Sequence, residues 1–257
     1  METLLVDRTP NGVVTLTLNR PDKKNAMNAT MFDELVAVFS EVDASTSDRV
    51  LVITGAGDAF CSGADLADRA KDTRHPLLRL HWASHVALAL HRIPKPVIAK
   101  VNGVAVGAGM NLALGCDLIV ASETARFSEI FARRGLTIDF GGSWLLPRLI
   151  GMHRAKELAF FADIVSAKTA AELGLVNRVV PSGDLDAVVA DWADRLAAGP
   201  PLALSMAKRL LTNSFSMTMD EALEAEGMAQ AVNGGTEDAP EAIRAFFEKR
   251  EPRFRGR

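Results

Sequence analysis

The chain has 257 residues, a hydrophobic fraction of 48% and a formal net charge of −3. This length suffices for one compact domain with a large core and a smaller appendage. The slightly acidic balance gives no overall electrostatic reason to bind nucleic acid or a membrane surface. The longest uncharged stretch, Val101 to Cys116, contains four glycines and is too short to span a bilayer. We therefore expect neither a nucleic-acid partner nor a membrane segment.

The N-terminal residues predict β structure followed by a helix. Two apolar runs, Leu4 to Asp7 and Val13 to Leu18, flank a Pro-Asn-Gly turn, which is a strong hairpin signal. Asn28 or Thr30 can then cap an amphipathic helix. The two cysteines lie in apolar segments, and the chain opens without signal-peptide features. We expect a reduced, cytoplasmic setting.

Two segments combine an apolar strand with a loop of small residues and a helix. The strand from Arg49 to Thr54 leads to Gly63 and Ala64, after which Asp65 can cap a helix. The strands around Val101 lead to Ala108, flanked by two glycines. Amide groups at such junctions can hold negative charge on an oxygen. Close helix-to-strand packing explains the small residues equally well, so both interpretations remain open.

Better-known glycine motifs fit the second junction poorly. Gly107 and Gly109 begin a dinucleotide fingerprint, but Leu112 occupies the position of its third glycine. Neither a P-loop nor the Gly-x-Ser-x-Gly motif of serine hydrolases is present in the sequence. A site for a carbonyl oxygen is the remaining hypothesis.

A helix predicted from His75 to Ile93 carries His81 and His85 at metal-ligand spacing. No glutamate lies between them and no third ligand suggests itself. We expect an ordinary amphipathic helix that covers a pocket, and no metal site.

Asp139, in the middle of the chain, has two possible roles, as a helix cap or as an acid/base. A strand from Asp117 to Ala121 precedes a short helical turn, for which Ser128 is a good N-cap, with Glu129 favouring the helix N-terminus. Asp139 then follows among apolar residues, before a glycine-rich turn. Capping the next helix is the structural interpretation, and the residues alone favour it. Desolvation would instead raise its pKa and make it an acid/base.

The C-terminal part reads as mostly helical. Helices are predicted at 151–161, 170–174 and 185–198, and a strand at 175–180. Residues 199–257 predict three more helices, so we divide the chain into a core, 1–198, and a helical oligomerisation region, 199–257. The tail from Arg244 to Arg257 has a local charge of +4, which favours an interface or a phosphate-bearing ligand.

Six motifs, in the same order along the chain, resemble the crotonase superfamily, the enoyl-CoA hydratase/isomerase group. They are Asn25 to Met27, Phe60 to Leu66, Lys95 to Gly103 with Gly107 to Gly109, Gly135 to Arg148, Ala171 to Val180, and Ala245 to Arg250. The resemblance implies an α/β fold, a spiral of ββα units with a C-terminal helical trimerisation region. It also implies a homotrimer or a hexamer built as a dimer of trimers.

The resemblance further implies an acyl-CoA substrate and no separate cofactor. The thioester oxygen would lie between the amides of Ala64 and Ala108, the two donors of the oxyanion hole. The residues implied to contact CoA are Lys24, Ala26, Ala64, Asp65, Leu66, Phe247 and Lys249. By itself, Lys24 is more typical of a solvated turn than of an anion contact.

The family's hydratases use two glutamates, and this chain departs from both. Asn111 and Phe131 occupy those positions, and Glu129 lies two residues before the second. Neither Asn nor Phe transfers protons. Asp139 lies where several isomerases carry their acid, so we favour double-bond isomerisation of an enoyl-CoA. The alternatives are a hydratase using Asp139 or Glu129, and a catalytically silent acyl-CoA-binding protein.

Overall fold

The computed structural model describes residues 1–71, 73 and 75–257. The strands in these residues are β1 Leu4–Arg8, β2 Val13–Leu18, β3 Val50–Gly55, β4 Ala59–Cys61, β5 Val97–Val101, β6 Val104–Val106, β7 Leu118–Ser122, β8 Arg126–Ser128, β9 Val165–Ser166 and β10 Arg178–Val180. The α-helices are α1 Ala29–Ala44, α2 Leu66–Lys71, α3 Pro76–Arg92, α4 Ala108–Leu114, α5 Gly142–Phe161, α6 Ala167–Glu172, α7 Leu185–Ala197, α8 Pro201–Asn213, α9 Met219–Gly234 and α10 Asp238–Glu248.

The strands form two sheets, and successive segments of the chain add strands to both. One sheet has the order β1-β2-β3-β5-β7-β10 and the other β4-β6-β8-β9. Three successive strand pairs, β3/β4, β5/β6 and β7/β8, each give one strand to each sheet, and helices follow them. Neighbouring strands within β2-β3-β5-β7-β10 are parallel, as are those within β4-β6-β8. This repetition confirms the predicted α/β spiral of ββα units.

Apolar residues cover both faces of the six-stranded sheet. All six residues of β3 are buried, which is typical of a parallel strand covered on two sides. Helix α7 packs on one face through Leu185 and Val189, which join Val50 and Ile98 in one apolar cluster. The larger cluster on the other side includes residues of α1 and α4. This larger cluster also contains Phe60 and Cys61 of β4 and Ala105 of β6, so it holds the loops that follow these strands in fixed positions.

Local signals located most of these elements correctly. The hairpin of β1 and β2 pairs Leu4 with Leu18, as predicted. Asn28 caps α1, since its side chain accepts a hydrogen bond from the amide of Met31 at 3.0 Å. Helix α5 has non-helical dihedral angles at Gly151, where the sequence had predicted a helix boundary. The strand predicted from Leu175 is shorter, because β10 begins at Arg178.

The segment 199–257 contains α8, α9 and α10, in agreement with the helices predicted there. Lys208 of α8 ties this segment to the core, because its ammonium group donates to a carboxylate oxygen of Asp117 at 2.7 Å and to the carbonyl of Lys95 at 3.0 Å. The role of 199–257 in oligomerisation stays a prediction. Across the described part of the chain, no helix has the length and apolarity needed to cross a membrane.

Candidate active site

The amide of Ala64 points away from the segment that pairs with it. The amide of Met27 donates to the carbonyl of Gly63 at 2.8 Å, and the carbonyl of Met27 accepts from the amide of Asp65 at 2.9 Å. These bonds form a parallel bridge between Met27 and Ala64. Backbone groups of successive residues in an extended segment point to opposite sides. The N–H of Ala64 is therefore directed away from Met27.

The amide of Ala108 begins α4, so it has no intrahelical acceptor. Gly107, just before it, has φ 56° and ψ −127°, which only glycine adopts without strain. A Cβ atom added to Gly63 would lie 3.7 Å from the amide nitrogen of Ala108, so the two junctions are adjacent. Within the described residues, neither the Ala64 nor the Ala108 amide donates a hydrogen bond. Two free amides therefore lie at neighbouring loop ends, as the oxyanion hypothesis requires.

The loop carrying Asp139 is joined to α4 by a side-chain hydrogen bond. Asn111 of α4 donates from its side-chain amide to the main-chain carbonyl of Asp139 at 2.9 Å. The same carbonyl accepts from the amide of Gly142 at 3.1 Å. Helix α5 has Gly141 at its N-cap position and no side-chain capping bond. Asp139 therefore does not occupy the N-cap position of this helix, contrary to the capping interpretation.

Glu129 is completely buried, although its predicted place was the N-terminus of a helical turn. Burial raises the pKa of its carboxyl to about 8, the hydrogen bond from Asn111 opposes that rise, and the negative charge of Asp139 adds to it. Asn111 is also fully buried, with its amide nitrogen 3.5 Å from a carboxyl oxygen of Glu129.

The predicted role of Ser128 as a helix cap is wrong. Ser128 belongs to β8, and its hydroxyl donates to the carbonyl of Ala162 at 3.2 Å. The turn that follows is a 3-10 helix, Ile130–Arg134, and Gly135 ends it as predicted. Phe127, Glu129 and Phe131 are all buried. Their spacing of two is the strand-like signal from which the burial of Glu129 was predictable.

A cavity of about 420 Å³ lies between α3 and α5. Its described lining is mainly apolar: Ser84, Ala87, Leu88, Leu90, His91, Asn111, Gly115, Phe140, Gly141, Trp144 and Leu145. The rings of His91 and Trp144 meet edge to face, with 5.3 Å between centroids. Burial, aided by the charge of Lys208, lowers the pKa of His91, although Asp117 acts in the opposite direction. The expectation that the helix beginning near His75 covers a pocket is confirmed.

Five of the residues predicted to contact CoA lie close together along two joined segments. The amide of Ser62 donates to the carbonyl of Lys24 at 3.0 Å, so the segment of Lys24 and Ala26 runs beside that of Ala64, Asp65 and Leu66. The ammonium group of Lys24 pairs with Asp58 at 2.6 Å and lowers the pKa of that carboxyl. Their contact with CoA stays a prediction.

Asp65 confirms its predicted role as a helix cap. One carboxylate oxygen accepts from the amides of Ala67 at 3.0 Å and Asp68 at 3.2 Å, and the other from Arg20 at 2.9 Å. Burial alone would raise the pKa of Asp65, but the bonds from the Asp68 amide and Arg20 outweigh it and lower the pKa.

Phe247 and Lys249 lie apart from these residues, at the end of α10. The Phe247 side chain is 77% exposed, and Lys249 has left-handed dihedral angles just beyond the helix. In the part of the chain that is described, no hydrogen bond or ion pair joins either residue to Lys24, Ala26 or Asp65. Their contact with CoA stays a prediction.

Much of the basic tail is folded back on acidic residues of its own helix. The guanidinium group of Arg250 pairs with Glu241 at 2.7 Å, and Asp238 accepts from the amides of Arg255 and Gly256. His81 and His85 are exposed on α3. No group of three or more His, Cys, Asp or Glu side chains within residues 1–71, 73 and 75–257 could hold a metal ion.

Comparison with known proteins gives the family. A model of the family described as enoyl-CoA hydratase/isomerase matches residues 8–257. The chain belongs to this family. The enoyl-CoA hydratase/isomerase fold extends over the whole chain: a crystal structure of an enoyl-CoA hydratase from Bacillus anthracis matches 99% of this chain and 100% of its own, with a TM-score of 0.95 and 34% identity. The predicted crotonase-like fold and family are confirmed.

Curated relatives in the enoyl-CoA hydratase/isomerase family carry two kinds of name. The chain is 37% identical over 262 residues to a 1,2-epoxyphenylacetyl-CoA isomerase of Escherichia coli, with 100% of both chains covered. It is 40% identical over 248 residues to a probable enoyl-CoA hydratase of Rhodobacter capsulatus, covering 96% of this chain and 95% of the relative. Membership of the family therefore does not by itself select between isomerisation and hydration.

Proposed function

We propose that this member of the family is an isomerase that moves the double bond of an enoyl-CoA, with Asp139 as its acid/base. One observation carries the proposal: the Asp139 loop is hydrogen-bonded, through Asn111, to the helix whose first residue is Ala108. The only potential proton-transfer group among the three motif positions thus belongs to a loop that is held by Asn111, one helical turn from the free amide of Ala108. Asn111 and Phe131, at the other two positions, transfer no protons.

The reaction needs a single carboxylate. The Asp139 carboxylate takes a proton from C2 of a 3-enoyl-CoA, and the electron pair of that C–H bond moves into the thioester as an enolate. The amides of Ala64 and Ala108 donate to the enolate oxygen, which stabilises it most as its charge develops. Asp139 then returns the proton to C4 as the double bond moves from C3–C4 to C2–C3. No water is consumed and the carboxylate is regenerated.

Hydration is less well supported by the site. It requires one group to activate water and one to protonate the α-carbon. Glu129 is a further acid near Asp139, but it has no exposed surface from which to meet a substrate or a water from solvent. Because one relative is named a probable enoyl-CoA hydratase, hydration is the competing function within the family.

The acyl group that suits the site is apolar. The cavity between α3 and α5 is lined mainly by leucine, alanine, phenylalanine and tryptophan side chains, and a buried apolar wall favours an uncharged tail. A cavity of 150 Å³ can hold a benzene ring. The roughly 420 Å³ observed here therefore suffices for a ring or for a chain of several methylene groups.

The test compares two substrates and one near-isosteric variant. The protein is incubated separately with 3-hexenoyl-CoA and with crotonyl-CoA, and the products are separated by chromatography. We expect isomerisation of the first, and a loss of at least about 100-fold in Asp139→Asn. Binding of hexanoyl-CoA should be retained, because Asn111 and Gly142 hold the main chain of Asp139, which the substitution leaves intact.

Other outcomes identify the competing functions. Rapid formation of 3-hydroxybutanoyl-CoA from crotonyl-CoA would identify a hydratase. Binding of both thioesters without turnover, and without any effect of Asp139→Asn, would identify a silent acyl-CoA-binding protein. Deuterium exchange at C2 of bound hexanoyl-CoA that persists in Asp139→Asn would exclude Asp139 as the base.

A further inference from the structure

Asn111 and Glu129 form a buried polar pair beneath the Asp139 loop. Both residues have 0% exposed surface. Asn111 lies on α4, and Glu129 lies between β8 and the 3-10 helix Ile130–Arg134. The Asn111 side-chain amide contacts both a carboxyl oxygen of Glu129, at 3.5 Å, and the main-chain carbonyl of Asp139, at 2.9 Å. One amide group therefore joins three elements of the site.

The close packing of Gly142 shows that the Asn111 side chain occupies a closely fitted space. A Cβ atom added to Gly142 would lie only 2.6 Å from Cγ of Asn111, well inside contact distance. Gly142 is also the residue whose amide donates to the carbonyl of Asp139. The Asn111 side chain thus packs directly against the turn that carries Asp139. Even a methyl group at Gly142 would force Asn111 out of this position.

The side chains of Asn111 and Glu129 offer more hydrogen-bond acceptors than donors. Oδ1 of Asn111 and Oε1 of Glu129 are buried and have no hydrogen-bond partner among the described residues. A carboxylate only accepts hydrogen bonds, whereas a protonated carboxyl group also donates one. A proton on Glu129 would therefore supply a donor that the cluster lacks. Its position in the interior, near the negative charge of Asp139, favours the same neutral form.

From these contacts we propose that Asn111 and Glu129 are positioning residues: Asn111 holds the main chain of Asp139 against α4, and Glu129 holds the side chain of Asn111. The inference rests on the proposed role of Asp139. It gives a function to the asparagine that occupies the position of a hydratase glutamate. Because burial raises the pKa of Glu129, its neutral form serves as the partner of Asn111, and Asp139 is left as the acid/base of the site.

The test uses two disruptive variants and one conservative rescue. Asn111→Leu has similar volume but cannot donate to Asp139, and Glu129→Leu cannot accept from Asn111. We expect both to lower the rate of deuterium exchange at C2 of bound hexanoyl-CoA by about 10- to 100-fold, with unchanged binding, since displacement of a reacting group by about 1 Å has an effect of this order. Glu129→Gln keeps a neutral acceptor and should restore most of the rate lost in Glu129→Leu.

A second measurement does not depend on turnover. Amide hydrogen exchange of the peptide containing Gly142 reports on the turn around Asp139, and it should be faster in Asn111→Leu and in Glu129→Leu than in Glu129→Gln. Wild-type protein that exchanges C2 deuterium but does not isomerise 3-hexenoyl-CoA would contradict the proposed function while leaving this inference supported by the variants.

Three results would overturn the inference. One is a wild-type rate in a folded Glu129→Leu protein, which would reduce Glu129 to a space-filling residue. Another is a Glu129→Gln protein as inactive as Asp139→Asn, which would make Glu129 a proton-transfer group itself. The third is slow amide exchange at Gly142 in all variants, which would show that the turn does not depend on Asn111.

Discussion

Gly63 lies against the amide of Ala108, so two loops that are 45 residues apart in sequence meet at one point. A Cβ atom on Gly63 would lie 3.7 Å from the amide nitrogen of Ala108 and 2.9 Å from the carbonyl oxygen of Val106. Gly63 also has φ 98°, a conformation that other residues adopt only with strain. The glycine therefore permits both the turn and the approach of the two free amides.

Removal of the Ala108 amide should abolish most of the activity. Ala108→Pro deletes the N–H group, and the first position of a helix tolerates proline because its amide has no intrahelical partner. We expect a fall in kcat of about 100- to 1000-fold, the usual effect of losing one oxyanion donor. Steady-state kinetics with 3-hexenoyl-CoA would measure it. Ala108→Gly keeps the amide and is the matched control; equal losses in both variants would argue against an oxyanion role.

The cavity between α3 and α5 should limit the length of the acyl group. Ala87 lines it, so Ala87→Phe should reduce its volume. We expect the ratio of kcat/KM for a 3-decenoyl-CoA to that for 3-hexenoyl-CoA to fall at least about ten-fold, since one methylene group in an apolar pocket is worth about 1 to 3 kcal/mol. Leu77→Phe, at a 55% exposed position of the same helix, is the control. An unchanged ratio in Ala87→Phe would show that the acyl group binds elsewhere.

Local patterns predicted the parts of the fold that depend on local interactions. The β1–β2 hairpin, the Asn28 cap and the Asp65 cap each follow from a few neighbouring residues. Strands β4, β8 and β9 have two or three residues each and were missed. Such short strands exist only because β6 and its neighbours supply hydrogen bonds from distant parts of the chain.

In the site, too, residues set by their sequence neighbours were predictable, and contacts between distant segments were not. Ala64, Ala108 and Asp139 stand out because each follows a strand or precedes a helix in a stretch of small residues. Ser128 followed by Glu129 has the usual pattern of a helix N-terminus, which competes with the strand-like alternation of Phe127, Glu129 and Phe131. Glu129 is buried because β8 packs against its neighbouring strands, and this packing also brings Glu129 to Asn111. The contact between the Asn111 side chain and the carbonyl of Asp139 spans 28 residues and required the fold.

The bond between Lys208 and Asp117 should contribute to the stability of the attached C-terminal helices. The two side chains are only 15% and 29% exposed, and the bond is charge-assisted. Lys208→Met keeps the apolar stem and should cost about 1 to 2 kcal/mol, or a few degrees in Tm. Lys168→Met is the control, because its ion pair with Glu172 is 3.9 Å long and exposed. Equal melting temperatures for the two variants, measured by calorimetry, would contradict this contribution.

Burial of Glu129 predicts a pH dependence of stability. Its pKa rises from 4.5 in the unfolded chain to about 8 in the folded protein, so the folded state binds more protons between these values. The stability that this group contributes is therefore present in full below pH 4.5 and is lost as the pH rises toward 8. Glu129→Gln lacks the titration. Between pH 5 and pH 8 the wild type should lose about 3 to 5 kcal/mol relative to this variant.

Thermal unfolding at several pH values would measure this difference as several degrees in Tm. Glu157→Gln provides the control, since Glu157 is an exposed partner of Arg154 and its replacement should leave the pH dependence of the wild type in place. If Glu129→Gln and the wild type lose stability in parallel from pH 5 to pH 8, Glu129 is ionised in the folded protein. In that case the positioning pair would lack its neutral member.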